Sequence, residues 1–268
     1  MTATSPTTIK QWLKTSYQEL KQVGVDNYSL DCLILLEYVL KTNRARSLAH
    51  QDDELSETQL KELNRLLYRR VNREPIAYIL ESKEFYGREF AVDKNVLIPR
   101  PESESFIELL KKHGLTEGLL IDVGTGSGIL GITSKLEAPK LKVTLSDISN
   151  VALEVAGKNA QILNADVTLK KQTLFNEYYD VVLANLPYVP KDMLVEKELG
   201  FEPKIALFVD GDGLDTYRGF CDKVAIFKPK YVLTESLKSQ HHKLAILLEV
   251  CSYELIDSQG LVQLFKQV

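Results

Sequence analysis

The stretch Asp122-Val123-Gly124-Thr125-Gly126-Ser127-Gly128 ends a predicted strand, residues 119–123, and leads into a predicted helix, residues 129–136. Glycine is needed where a chain turns tightly or where a ligand must approach the backbone without a Cβ atom in the way. The N–H groups of such a loop and the N-terminus of the following helix can then face an anionic or polar ligand. A strand, a glycine loop and a helix in this order predict a nucleoside-cofactor site.

The loop alone does not choose the cofactor. Residues 126–131 match the GxGxxG pattern of dinucleotide-binding proteins, and Asp147 ends the next predicted strand about 20 residues further on. An acid at that place can bind the ribose hydroxyls of NAD or of S-adenosylmethionine, or it can cap the next helix. An oxidoreductase and a methyltransferase therefore both remain open at this point.

A second motif, Asn185-Leu186-Pro187-Tyr188, follows the predicted strand 180–184. An amide NH2 has two donors. Asn185 Oδ1 can accept one, and the Leu186 carbonyl, held outward by the stiff turn at Pro187, can accept the other. Tyr188 can pack on the flat face of a planar nitrogen substrate. Asn and Pro also commonly end strands, but holding a nitrogen and excluding water suits methyl transfer and has no use in hydride transfer.

Strands and helices alternate on both sides of these motifs. Strands are predicted at 119–123, 142–146, 167–170, 180–184 and 231–234, helices at 103–113, 129–136, 150–163, 216–227 and 239–250, and a final hairpin at 254–256 and 261–265. This alternation predicts an α/β fold, with a parallel sheet wound by right-handed crossovers and a closing antiparallel strand. Ligands of such sheets bind at the carboxyl ends of the strands.

The N-terminal region has a different pattern. Residues 7–73 repeat apolar side chains at three- and four-residue steps, which predicts three short helices with Trp12 in their core and a capping box of Ser56 and Gln59. Pro75 ends this region. Residues 76–80 and 84–92, with Gly87 inside, are predicted as strands of a hairpin. We therefore expect a helical bundle at 1–74, a β-hairpin linker at 75–98 and a catalytic domain at 99–268.

The composition limits the kinds of molecule that the protein is expected to bind. The 268 residues carry a formal net charge of −4, whereas proteins that bind nucleic acid through phosphates usually have a basic surplus. Three scattered cysteines predict buried thiols rather than a disulfide framework or a metal site. The N-terminus has no signal-peptide pattern, and the most apolar short run, residues 33–36, is too short to span a bilayer. A cytoplasmic protein without a membrane partner is expected.

At this point the sequence resembles the HemK/PrmC family of protein-(glutamine-N5) methyltransferases, which modify the GGQ loop of class I release factors. The likeness covers nearly the whole chain. It is carried by segments 85–90, 96–104, 147–149, 201–203, 206–207 and 212–218 together with the two motifs quoted above. It implies a class I S-adenosylmethionine-dependent methyltransferase domain, Rossmann-like, with a mostly parallel seven-stranded sheet and an antiparallel last strand, and a small N-terminal helical domain that binds substrate.

The resemblance also assigns residues. Gly124, Thr125, Gly126, Ser127, Gly128 and Asp147 would bind S-adenosyl-L-methionine; Leu174 would flank its adenine, and Asn185 would lie beside the cofactor. Asn185, Leu186, Pro187 and Tyr188 would hold the glutamine. The implied chemistry is in-line attack of the amide nitrogen on the sulfonium methyl group, with no metal. The implied partner is a peptide chain release factor, and we expect a monomer.

Three segments depart from the family pattern. Leu186 replaces the first proline of the usual NPPY, residues 234–236 match an EIG-type segment only in part, and residues 257–260 lack flanking arginines. Asn-Leu-Pro-Tyr also occurs in ribosomal RNA adenine-N6 dimethyltransferases. An adenine-N6 methyltransferase acting on RNA or DNA therefore stays open as an alternative. A catalytically silent methyltransferase-like binding module is a third reading.

Other polar residues have a structural and a functional interpretation. Arg100, Glu102 and Glu104 lie where the predicted linker meets the catalytic domain. They suit a salt-bridged hinge with acids at a helix N-terminus at least as well as contacts to substrate. Residues 210–213 are predicted as a turn near the mouth of the active site.

Overall fold

The computed structural model describes residues 7–193 and 196–268. The chain forms two compact units, Met1–Leu80 and Glu81–Val268. The predicted linker 75–98 thus has residues in both units. Within the described ranges, no helix is long and apolar enough to cross a membrane.

The first unit is helical. Its helices are α1 (Ile9–Gln22), α2 (Tyr28–Leu40), α3 (Arg44–Ala49), α4 (Glu57–Val71) and α5 (Ile76–Leu80). Ser56 and Gln59 form the predicted capping box of α4, and Thr8 and Gln11 form another at α1. Trp12 is buried, as predicted, and its Nε1–H donates to Asn64 Oδ1 at 3.0 Å. The short helix α3, capped by Asn43, was not predicted.

The prediction of a strand at residues 76–80 was wrong. The amides of Tyr78 and Ile79 donate to the Pro75 carbonyl at 3.0 and 3.1 Å, which makes a helical turn. Pro75 fixes a backbone angle that suits the start of a helix. Ala77, Tyr78 and Ile79 are consecutive and all buried, and a short apolar run of this kind does not distinguish helix from strand.

The hairpin begins later than predicted. Strands β1 (Ser82–Phe85) and β2 (Arg88–Ala91) pair antiparallel, so the predicted strand 84–92 contains the turn and parts of both arms. The turn residues Tyr86 and Gly87 have φ angles of 51° and 72°. A two-residue turn with both φ positive matches the twist of the flanking strands.

The second unit is built on a seven-stranded sheet. Its strands are β3 (Glu117–Val123), β4 (Lys140–Asp147), β5 (Val167–Lys171), β6 (Val181–Ala184), β9 (Tyr231–Glu235), β10 (Tyr253–Gln259) and β11 (Val262–Gln267). The order is β10-β11-β9-β6-β3-β4-β5. Five neighbouring strands run parallel, and β11 pairs antiparallel with both β9 and β10. The predicted α/β fold with an antiparallel last strand is confirmed.

Helices cover both faces of this sheet. They are α6 (Glu104–Lys112), α7 (Ile129–Glu137), α8 (Asn150–Ile162), α9 (Lys204–Leu207), α10 (Asp215–Phe227) and α11 (His241–Val250), and a two-stranded pair of β7 (Val189–Pro190) and β8 (Phe208–Val209) lies outside the sheet. Successive sheet residues alternate between two cores: Leu120 belongs to one and Ile121 to the other. All of β6 is buried, as expected of a central parallel strand.

Candidate active site

Strand register brings the predicted site residues to one edge of the sheet. Val123 pairs with Ser146 on one side and with Ala184 on the other, and Ala184 pairs with Thr234. The residues that follow these partners are Gly124, Asp147, Asn185 and Glu235. Because carboxyl ends of parallel strands meet at the same edge, the glycine loop, Asp147, the Asn motif and Glu235 lie together, although 111 positions of sequence separate Gly124 from Glu235.

The glycine loop turns through backbone angles that favour glycine. Gly124, Gly126 and Gly128 have φ of 69°, 55° and 87°. A Cβ atom on Gly124 would lie 3.3 Å from Leu186 Cδ2, so this glycine also lets the second motif approach the loop. The two motifs found in the sequence are therefore in direct proximity.

Most of the loop amides already have hydrogen-bond partners, either at the end of β4 or in the loop itself. The N–H groups of Gly124 and Thr125 donate to the Ser146 carbonyl, both at 2.9 Å, and Gly128 N–H donates to the Thr125 carbonyl at 2.8 Å. Gly126 N–H donates to Asp147 Oδ2 at 3.0 Å. A loop that binds a pyrophosphate must turn its amides toward the phosphates. This loop fits a nucleoside cofactor without phosphates, such as S-adenosylmethionine, better than a dinucleotide.

Asp147 is held at the end of β4 by backbone donors. Besides Gly126, the amide of Ser149 donates to Asp147 Oδ1 at 2.9 Å. The alternative that Asp147 caps the next helix does not hold, because Ser149 is the N-cap of α8 and accepts from Ala152 N–H at 3.3 Å. Leu174 lies near this end of the sheet: its carbonyl accepts from Ser146 Oγ at 3.4 Å and its φ is 61°.

Asp122, near the end of β3, accepts hydrogen bonds that hold the glycine loop in place. Its carboxylate is buried, and Oδ2 accepts from Thr125 Oγ1 at 2.6 Å and from Gly131 N–H at 3.0 Å. Burial raises the pKa of Asp122 to about 6, although both hydrogen bonds lower it. The only sequence signal of this role is that Asp122 is an acid inside an otherwise apolar strand.

The Asn185 motif is fixed by buried polar partners. Asn185 Nδ2 donates to Ser103 Oγ at 3.2 Å, and Tyr188 Oη donates to Glu235 Oε1 at 2.9 Å. Ser103 Oγ donates to Glu235 Oε2 at 2.7 Å. Asn185 Oδ1 and the Leu186 carbonyl accept no hydrogen bond from the part of the chain that the structure describes. Both oxygens predicted to bind an NH2 group are thus left for a ligand.

Three residues that sequence reasoning did not single out as site residues support this motif. Glu235 is buried, and desolvation raises its pKa, while the hydrogen bonds from Ser103 and Tyr188 lower it. Tyr217 Oη lies 2.9 Å from the Ala184 carbonyl and 2.6 Å from the Glu235 carbonyl, so one hydroxyl joins the ends of β6 and β9. Gln240 Nε2 donates to the carbonyls of Tyr188 and Asp212 at 2.8 and 3.0 Å.

The predicted turn at residues 210–213 is present, and its last residue lies against the Asn185 motif. A Cβ atom on Gly213 would overlap the Tyr188 carbonyl oxygen and Gln240 Nε2. Glycine is required at this position because of that close approach and because its φ is 82°.

The residues around Arg100 have structural partners. The Arg100 guanidinium pairs with the buried Glu202 carboxylate, which also accepts from Ile98 N–H at 3.0 Å. Glu104 accepts from Tyr86 N–H at 3.0 Å. These contacts agree with the structural interpretation: Arg100 forms an ion pair, and Glu104 accepts a hydrogen bond from a backbone amide.

Solved structures that resemble this chain include methyltransferases. The Mettl16 catalytic domain in complex with an RNA hairpin is 14% identical, with a TM-score of 0.55, and the alignment covers 75% of this chain and 81% of that one. A methyltransferase from Pyrococcus furiosus is 15% identical, with a TM-score of 0.52, and covers 78% and 99%. At these identities the likeness shows the fold. Residues 101–199 also match the methyltransferase small domain. Fold and site together define an S-adenosylmethionine-dependent methyltransferase.

Proteins with related sequences indicate the family of methyltransferases to which this chain belongs. Residues 11–80 match the PrmC N-terminal domain. The release factor glutamine methyltransferase of Neisseria gonorrhoeae is 40% identical over 70% of this chain and 72% of its own, and that of Bacillus cereus is 39% identical over 79% of each. A bifunctional methyltransferase of Rickettsia felis is 33% identical, and this chain spans about half of it, 53%. The chain belongs to the release factor glutamine methyltransferase family.

Proposed function

We propose that this enzyme transfers a methyl group from S-adenosylmethionine to the side-chain N5 atom of the glutamine in the GGQ loop of class I release factors. Family membership supports the substrate class. The observation that carries the chemistry is a pair of acceptors next to the glycine loop, Asn185 Oδ1 and the Leu186 carbonyl, which have no partner among the described residues. A primary amide offers two N–H donors, and this pair accepts two.

The chain's own residues act mainly by positioning. The bound cofactor supplies an electrophilic methyl group on a positively charged sulfur. Asp147 and the loop of residues 124–128 would hold it, with Leu174 beside the adenine. An amide nitrogen is a weak nucleophile because its lone pair is delocalised, so orientation and exclusion of water carry the rate. In the reaction the nitrogen would form a bond to the methyl carbon while the carbon–sulfur bond breaks and its electron pair goes to sulfur, and the nitrogen would release one of its two protons to solvent.

The two units have separate proposed roles. The second unit would carry out the methyl transfer, and the first unit, which matches the PrmC N-terminal domain, would bind the body of the release factor. The enzyme would act as a monomer. The cytoplasm, where translation factors act, is the proposed site of action.

The direct test is methyl transfer from labelled S-adenosylmethionine. Release factors are offered in one reaction and ribosomal RNA or DNA in another, with a release factor whose GGQ glutamine is replaced by alanine as control. Label on the release factor that disappears with the alanine control is expected. Label on adenine would favour the adenine-N6 alternative, and cofactor binding without transfer to any substrate would favour the silent binding module.

Asn185→Ala tests the role of the motif. We expect this variant to lose methyl transfer while its affinity for S-adenosylmethionine stays within about tenfold, because the side chain serves mostly the substrate amide. Isothermal titration with the cofactor and single-turnover methylation separate the two effects. Unchanged turnover with a large loss of cofactor binding would show that the role is misassigned.

A further inference from the structure

A chain of hydrogen bonds runs from a buried carboxylate to the side chain of Asn185. Glu235 Oε2 accepts from Ser103 Oγ at 2.7 Å, and Ser103 Oγ accepts from Asn185 Nδ2 at 3.2 Å. The other carboxylate oxygen, Oε1, accepts from Tyr188 Oη at 2.9 Å. Glu235 and Ser103 are each 1% exposed, so water does not compete for these groups.

The direction of each bond follows from the groups involved. Both oxygens of Glu235 receive a hydroxyl donor, which is the pattern of an ionised carboxylate, and such a group can only accept. Ser103 has one hydroxyl proton and gives it to Glu235. Toward Asn185, therefore, Ser103 can only accept. Asn185 must turn its NH2 group to Ser103, and its Oδ1 atom is left on the other side.

This orientation matters because the two ends of an asparagine amide have the same shape and opposite polarity. Turned by 180°, Asn185 would present NH2 to a substrate NH2 group, and two donors would face each other without an acceptor. A buried donor left without a partner is costly. The site must therefore specify the polarity of Asn185 as well as its position.

We propose that Glu235 is a positioning residue that, acting through Ser103, fixes the polarity of the Asn185 amide and directly fixes the ring of Tyr188. The proposal rests on the proposed function of Asn185 as the acceptor for the substrate amide. Neither Ser103 nor Glu235 needs to touch the substrate. Ser103 lies just before α6 and Glu235 ends β9, so two separate elements set one side chain.

Two variants test the relay. Ser103→Ala removes its middle group, and Glu235→Gln keeps the shape but gives the side chain one donor and one acceptor, so that one of its two hydroxyl partners must reverse. We expect kcat on the release factor to fall about 10- to 100-fold in each, with the KM for S-adenosylmethionine within about threefold. Ser134→Ala is the matched control, because Ser134 is an equally buried serine on α7 whose hydroxyl donates to the Leu130 carbonyl at 2.7 Å.

The polarity of Asn185 has its own readout. A release factor whose GGQ glutamine is replaced by glutamate offers acceptors in place of donors, so the wild-type site should bind it weakly as a competitive inhibitor. In Ser103→Ala and Glu235→Gln, Asn185 can turn. In these variants we expect the affinity for this inhibitor, relative to the affinity for the glutamine substrate, to rise about tenfold. A general loss of structure would weaken both ligands alike and would not improve the ratio.

The outcomes separate the two proposals. Wild-type enzyme that leaves release factors unlabelled defeats the proposed function; the same variants are then measured on adenine, whose N6 amine also has two donors. Wild-type activity with unchanged kcat and unchanged discrimination in both variants overturns the relay. An equal loss of kcat in Ser134→Ala overturns it as well.

Discussion

Asp122 combines two requirements in one side chain. Its Oδ2 atom holds Thr125 in the loop and Gly131 in α7, and its burial raises the pKa to about 6. The charged form of such a group is disfavoured by the loss of water. The Asp122 side chain therefore organises the glycine loop, and its ionisation lowers the stability of the folded state.

The pH dependence of stability follows from this shift. An unfolded aspartate has a pKa near 4, so between about pH 4 and pH 6 the folded state binds more protons than the unfolded one. Stability then falls as pH rises through this range. We expect Asp122→Asn, which keeps an acceptor, to remove this component of the slope. Urea unfolding at pH 4.5, 5.5 and 6.5 measures it, and identical slopes for the two proteins would contradict the assignment.

At this scale the sequence predicts the residues that carry a motif and misses those that support it. Asn185 and Asp147 were identified because each ends a predicted strand next to turn-forming residues. Ser103, Glu235, Tyr217 and Gln240 have no local pattern, since their partners lie 18 to 132 positions away along the chain. Only the pairing of the strands determines that they meet.

At the scale of elements, the long βα units were predicted with ends correct within about two residues, because apolar periodicity and glycine turns agree there. The errors lie in short pieces. Residues 76–80 form a helix, and α3 and the small β7–β8 pair were missed. Segments of two to six residues contain too few turns of any period to reveal their structure, and tertiary packing decides it.

Helix α7 packs closely on the sheet at Gly131. A Cβ atom there would overlap Leu145 Cδ2 and lie 3.1 Å from Asp122 Cβ. We expect Gly131→Ala to destabilise the protein by about 1–3 kcal/mol through overpacking and to weaken cofactor binding, because Asp122 would shift. Thermal unfolding and titration with S-adenosylmethionine measure the two effects.

Gly219 on α10 is the matched control. It receives the same substitution in a helix, but a Cβ atom there would meet nothing within 4 Å. Gly219→Ala should stabilise the protein by up to about 1 kcal/mol, since alanine favours the helix. Equal effects of the two substitutions would mean that helix propensity, and not the close approach to β4, governs Gly131.

At the scale of the molecule, the negative net charge coexists with a local surface that is positively charged. The chain is acidic overall, at −4, yet the first unit has a groove of about 440 Å³ lined by Lys10, Lys14, Lys21, Tyr17 and Tyr28, which we term the lysine groove. Its three lysines are exposed and enter no ion pair among the described residues. A cationic surface on a unit proposed to bind substrate raises the on-rate for an acidic partner surface.

Charge reversal in the lysine groove tests whether the first unit recruits the release factor. The double variant Lys14→Glu/Lys21→Glu should raise the KM for the release factor about 5- to 10-fold and leave kcat and cofactor affinity unchanged, because the proposed site of methyl transfer lies in the second unit. Added salt should weaken wild-type binding and affect the variant less, since screening removes the same attraction. The double variant Lys41→Glu/Lys61→Glu, at two exposed lysines of the first unit outside the groove, is the matched control for charge. A KM that rises equally in this control would assign the effect to net charge, and an unchanged KM in Lys14→Glu/Lys21→Glu would place recruitment elsewhere on the enzyme.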